Sequence, residues 1–123
     1  MICPWCYVGK RRLEAALDGP DMPAPPRLAW RPFELNPDMP AEGIERQAYR
    51  AQKFGAARSA ELDRNMIETG KELGIAFAFD RMQRTPNTRL AHRAIWEAGR
   101  QGRQDALVNR LFQAYFEEAR RHR

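Results

Sequence analysis

Seven of the nine prolines fall between Pro20 and Pro40, and no other feature restricts the fold as much. Proline fixes φ and lacks an N–H, so neither a helix nor a central strand passes through such a stretch. Regular structure must therefore lie on either side of it. On the N-terminal side the spacing predicts one short helix, about Pro4 to Leu17, with an apolar stripe of Cys6, Gly9, Leu13, Ala16 and Leu17. Asp18-Gly19-Pro20 ends it, and Pro23 to Pro26 forms a stiff loop. Within the proline region Arg27 to Asn36 alternates like a strand, with Leu28 and Trp30 on one face. The alternation changes phase at Pro32, because Phe33 and Leu35 occupy the odd positions, and this combination predicts a bulge or an edge strand.

Beyond Pro40 the pattern is helical. Ile44 to Phe54 closes at Gly55. About Ser59 to Leu73 places Leu62, Met66, Thr69 or Gly70, and Leu73 on one face, with Gly74 at its end. Ile75 to Phe79 is a short apolar segment with no identifiable strand partner. Thr85-Pro86-Asn87-Thr88 supplies capping side chains ahead of a helix from Arg89 to Ala98. Gly99 and Gly102 bracket a turn into a last helix, about Arg103 to Arg120, with Leu107, Val108, Leu111, Phe112, Tyr115, Phe116 and Ala119 on a broad apolar face. So short a turn predicts an antiparallel hairpin, with Leu90, Ala94 and Ile95 opposite that face. Composition agrees: ten β-branched residues against 18 Ala and 18 Arg leave little for an all-β fold.

Charge excludes several functions. Charged residues make up 30% of the chain but the net charge is only +5, which argues against disorder. The basic residues are interleaved with acids: Arg46, Arg50, Arg58 and Arg64 lie among Glu42, Glu45, Glu61 and Asp63. That mixing predicts solvated helix faces and no nucleic-acid partner. No apolar run approaches a membrane span, and two cysteines are too few for a disulfide scaffold or a four-cysteine zinc site.

Those two cysteines carry the chemistry. Cys3-Pro4-Trp5-Cys6 opens the first predicted helix, with Cys3 at the N-cap and Pro4 at the first helical position, where its missing N–H costs nothing. Free backbone N–H groups and the helix dipole lower the pKa of a thiol placed there. Cys6, on the apolar stripe, is expected to be more buried and less reactive. An attacking and a resolving thiol are what two-step thiol–disulfide exchange needs, and Pro4 and Trp5 are expected to tune the redox poise of the pair. A structural thiol pair and half of a zinc site are the alternatives. Zinc needs two further ligands, and the only histidines, His92 and His122, lie thirty residues apart. His92 is expected to be a helix-surface or packing residue.

Three segments in chain order extend the motif: Ile2 to Arg12, Arg31-Pro32-Phe33-Glu34-Leu35-Asn36-Pro37, and Arg84-Thr85-Pro86-Asn87-Thr88 with Ala91-His92-Arg93. Together they resemble the FrnE-like branch of DsbA-family oxidoreductases. The resemblance implies an α/β thioredoxin-like fold with an all-helical insertion: residues 1–36 a partial thioredoxin portion, residues 37–123 the insertion. It also implies that Cys3 is the nucleophile and Cys6 the resolving cysteine, with no cofactor. Thiol or disulfide proteins are the expected partners, with glutathione an alternative. Related 2-hydroxychromene-2-carboxylate isomerases and kappa-class glutathione transferases carry serine at the nucleophile position, so Cys3 favours dithiol redox chemistry over a glutathione-dependent isomerase or transferase. A cytoplasmic location is expected, because a reducing cytosol keeps the pair as a dithiol. The family pattern has a strand before the motif and a cis-proline loop after the insertion. The chain is therefore expected to be truncated at both ends, with residues 1–36 loosely docked and the unpaired strand promoting self-association. A catalytically silent helical fragment is the remaining alternative.

Overall fold

The computed structural model describes residues 1–19, 24 and 26–120. Five helices dominate it. Helix α1 spans Pro4–Leu17, α2 Arg46–Phe54, α3 Ala56–Glu72, α4 Arg89–Arg100 and α5 Gln104–Phe112. A two-residue strand, β1 (Ile44–Glu45), pairs antiparallel with β2 (Arg84–Thr85). A 3₁₀ turn at Phe79–Arg81 precedes β2, and a π-helical turn at Gln113–Glu117 follows α5.

Most helix ends obey their local signals. Gly55 ends α2 at φ +83°, and Gly74 follows α3 at φ +73°, conformations that favour glycine. Glu45 caps α2, accepting from the N–H groups of Gln47 at 3.1 Å and Ala48 at 2.7 Å. At α4 the capping side chain is Asn87, which accepts from Arg89 N–H at 2.9 Å. The predicted helix from Ile44 begins instead at Arg46, since Ile44 and Glu45 are taken by the β pairing.

One core holds α1, α3, α4, α5 and the Ile75–Met82 segment together. Tyr7, Val8, Val108, Phe112 and Phe116 are its most buried large side chains. The Tyr7 ring stacks on Phe112 at 5.0 Å, and Phe116 meets Phe77 edge-on at 5.5 Å. Each fully buried side chain of this size contributes roughly 1.5–3 kcal/mol. The π turn serves the same core: Glu118 N–H reaches back to the Gln113 carbonyl at 3.1 Å. The wider turn lets the consecutive residues Tyr115 and Phe116 both face inward.

Several expectations are overturned. Arg27–Glu34 has no regular secondary structure, Leu35–Asn36 is a bend, and no β-ladder forms there among the described residues. Trp30 is satisfied by a side chain: its N–H donates to Gln104 Oε1 at 2.7 Å, and its carbonyl accepts from Gln104 Nε2 at 3.0 Å. The inward face of α1 is Tyr7, Val8 and Lys10, while Cys6, Gly9 and Leu13 are exposed. Lys10 is buried because its ammonium reaches Glu14 and Asp105, both at 3.3 Å, with its aliphatic stem packed inside. Nor is α1 loosely docked, since Tyr7 and Val8 lie in the core. Opposite α5, α4 presents Ala91 and Ile95, whereas Leu90 and Ala94 face outward. The stiff loop expected at Pro23–Pro26 falls largely outside the described residues.

Candidate functional site

Helix α1 starts where its first residues require it to. Cys3 is extended at φ −91° and ψ 112°, which proline prefers in its predecessor, and Pro4 sits at the first helical position. Cys3 and Cys6 are thereby brought onto one turn, with Cys6 N–H donating to the Cys3 carbonyl at 3.1 Å. Both are free thiols, with Cys3 half-buried and Cys6 exposed.

The two sulfurs are chemically unequal. The neighbouring Cys6 thiol, as the proton-bearing partner, is the largest influence lowering the Cys3 pKa to about 6. Partial burial opposes the shift, while the backbone N–H groups of Cys6 and Trp5 reinforce it. Cys6 moves the other way: its interaction with the Cys3 side chain, desolvation and the Cys3 negative charge all hold it in the protonated form. The expected asymmetry is present, but its cause differs from the sequence reading. Cys6 is the more exposed of the two, and the interaction between the thiols weighs more than its desolvation.

Of the other predicted site residues, Pro4 forms the helix start and Trp5 is exposed beside Cys3, 55% of its surface open. The motif opens onto a cleft of about 520 Å³ bounded by α2, α3 and Phe79–Thr85. Sequence reasoning missed this cleft. Its wall carries Arg46, buried, whose guanidinium donates to Asp63 at 3.0 and 3.2 Å and lies 4.9 Å from the centre of the Phe79 ring. One turn on, Arg50 pairs with the same Asp63 at 2.9 Å and donates from Nε to Ser59 Oγ at 2.8 Å. Desolvation, followed by the neighbouring Arg46 charge, lowers the Arg50 pKa. Arg46 thus departs from the solvated face expected of interleaved charge. The available signal was the i, i+4 spacing of Arg46, Arg50 and Phe54 on one side of α2.

His92 lies elsewhere, in a shallow recess with Pro32, Arg93 and Trp96. It is half-buried, its Nε2 has no hydrogen-bond partner among the described residues, and burial lowers its pKa. Among the described residues no group of three His, Cys, Asp or Glu side chains is placed to hold a metal ion. No helix among them is long and apolar enough to cross a membrane.

Comparison with known proteins follows the same line. A probable DsbA oxidoreductase from Streptomyces coelicolor superposes with a TM-score of 0.85 at 27% identity, over 97% of this chain and 52% of that one. The uncharacterised protein YwbO of Bacillus subtilis is 27% identical over 117 residues, covering 95% of this chain and 53% of its own length. The chain thus spans about half the length of these relatives. The model of the DSBA-like thioredoxin domain matches residues 1–123. A match over that whole span means that this chain belongs to the DsbA-like thioredoxin domain family.

Proposed function

We propose that the chain performs thiol–disulfide exchange, with Cys3 as nucleophile and Cys6 as resolving thiol. The observation that carries this reading is the placement of both thiols on the first turn of α1, with Cys3 half-buried at the helix N-terminus, which favours a Cys3 thiolate at neutral pH while Cys6 stays protonated. In the reductive direction the Cys3 thiolate attacks one sulfur of a substrate disulfide. A new S–S bond forms, the substrate bond breaks, and the departing sulfur leaves as a thiolate. Cys6 then gives up its proton to the leaving thiolate or to water and attacks Cys3 Sγ. The mixed disulfide breaks, the second substrate thiolate leaves, and a Cys3–Cys6 disulfide remains. Two electrons have passed from the protein dithiol to the substrate, and an external dithiol restores the pair. The reverse sequence oxidises a substrate dithiol.

Pro4 and Trp5 tune the poise of the pair in this reading: Pro4 by fixing the helix start beneath Cys3, Trp5 by shielding one side of it. Residues 1–36 supply the redox helix and residues 37–123 the helical part beside it, as in the FrnE-like branch. A reducing, cytoplasmic setting keeps the pair as the dithiol. The test is mixed-disulfide trapping with a protein disulfide such as insulin. Cys6→Ala is expected to accumulate long-lived adducts and Cys3→Ala to form none. Equal trapping by both variants sinks the assigned roles, and glutathione conjugation without disulfide exchange favours the transferase alternative instead.

A further inference from the structure

We propose that the cleft beside Cys3 selects a cysteine-bearing peptide segment that presents an acidic side chain next to an apolar one. This rests on the exchange reading above and adds the substrate class to it. The charge in the cleft is unbalanced. Arg46, Arg50 and Lys53 line it together with a single carboxylate, Asp63. Asp63 already holds both arginines, at 3.0 and 2.9 Å. Arg58, also in the lining, is paired off with Glu61 at 2.9 Å.

Among the described residues that line the cleft, Lys53 is the cation without a carboxylate partner. No carboxylate among the described residues pairs with it, and its ammonium lies 5.7 Å from the centre of the Tyr49 ring and 5.3 Å from that of Phe54. Those rings favour the ammonium at the cleft, where a cation–π contact has little competition from acids. A positive excess between low-dielectric walls raises the local concentration of an anion and speeds its arrival.

Most of the remaining lining is apolar, with Leu35, Phe54, Leu62 and Met66 around the cations and Asn65 and Thr85 as polar exceptions. Trp5 extends it beside Cys3 and is largely exposed. Glutathione carries carboxylates beside its sulfur but no apolar side chain, so it uses the charge and leaves this surface uncovered. A peptide with an acidic and an apolar side chain near its cysteine uses both, and that chemistry fits the cleft.

The experiment uses the reduced chain and three peptides, each with one cysteine blocked as a thiopyridyl disulfide. The first carries Glu and Leu beside the cysteine, the second Gln and Leu, the third Glu and Ser. Attack by Cys3 forms the protein–peptide disulfide and releases thiopyridone, which is followed by its absorbance. The Glu-Leu peptide is expected to react about tenfold faster than the Gln-Leu peptide at low ionic strength, with the ratio falling towards one as salt rises. Lys53→Glu is expected to bring that ratio to one or below, and the Glu-Ser peptide to react more slowly than the Glu-Leu peptide. Equal rates for the Glu-Leu and Gln-Leu peptides overturn the proposal. Blocked glutathione reacting as fast as the Glu-Leu peptide also overturns it, because the carboxylates alone would then suffice. A neutral dipyridyl disulfide separates the two levels. If it reacts at Cys3 while the peptide ratio is one, only the selectivity fails; if nothing reacts at Cys3, the exchange reading fails and the selectivity with it.

Discussion

The side-chain amide of Gln104 grips the backbone of Trp30 from both sides, accepting from its N–H at 2.7 Å and donating to its carbonyl at 3.0 Å. A neighbouring strand would make the same two bonds. The indole adds a third link, Nε1 to Asp105 at 3.2 Å, and its ring meets Phe112 edge-on at 6.4 Å. The segment is thus held to the start of α5 without a sheet.

Removing that amide leaves two backbone groups of Trp30 without protein partners. Gln104→Ala is expected to destabilise the chain by about 1–3 kcal/mol, the cost of unsatisfied, partly buried groups. It should also raise amide exchange at Trp30 well above that at Val108. Urea unfolding and hydrogen exchange check this together; an unchanged Trp30 exchange rate would show that another contact holds the segment.

A second prediction concerns the aromatic stack. Phe112 is 1% exposed and stacks on Tyr7, while Tyr7 OH donates to Glu117 Oε2 at 2.7 Å. Phe112→Ala opens a cavity under α1 and is expected to cost about 3–5 kcal/mol. Tyr7→Phe keeps the ring but loses two hydrogen bonds, the one donated to Glu117 and the one accepted from Arg11 at 3.3 Å, with an expected cost of about 1–2 kcal/mol. Denaturant unfolding that ranks the two variants in the opposite order would refute this account of how α1 is held.

Those contacts show which parts of the fold were legible in the sequence. The start of α1 was, because Pro4 and the Asp18-Gly19-Pro20 stop act locally. Its buried face was not. The apolar stripe through Cys6 and Leu13 points outward, and the inward face includes Lys10, which counts as polar in any periodicity until its partner Asp105, on another helix, is known. Trp30 was misjudged for the same reason: alternation suggested a strand, and the group that satisfies it lies 74 residues away. The β1–β2 pair is two residues long, too short to show alternation.

The candidate site divides the same way. Cys3 and Cys6 were visible because the motif lies within a single turn. The cleft was hidden, since Arg46 and Arg50 become a wall only when Asp63 of α3 draws them together. In the sequence they are part of a mixed-charge run that ordinarily marks solvent-exposed helix.

A third prediction tests the β1–β2 junction. Gly43 has φ +77°, and a Cβ there would stand 2.5 Å from the Thr85 carbonyl oxygen. That oxygen belongs to the backbone and has little room to yield. The left-handed conformation alone costs an L-residue roughly 1–2 kcal/mol, so Gly43→Ala is expected to cost at least about 2 kcal/mol with the clash included. Chemical denaturation decides it; a neutral substitution would mean that the Gly43–Thr85 approach relaxes freely.

The last prediction is the pH dependence of the reduced chain. Cys3 has its pKa lowered from 9.0 to about 6 on folding, so its ionised form favours the folded state. Such a contribution is complete above the unfolded value of 9.0 and is lost as pH falls through about 6. Cys6 is shifted upward from the same 9.0, so its contribution is present below that value and fades above it, as the unfolded chain ionises and the folded one does not. The reduced chain should therefore gain stability between pH 6 and 9 and lose it at higher pH. Other groups also titrate over this range, among them His92, whose pKa burial lowers. The measurement is therefore the difference between the reduced wild type and a Cys3→Ser, Cys6→Ser variant, from urea unfolding under reductant at each pH. Both chains keep His92, so its effect cancels. A rising difference from pH 6 to 9, then a decline, is the expected curve. A flat difference would mean that the two thiols are not shifted in opposite directions on folding, and the low-pKa nucleophile would have to be given up.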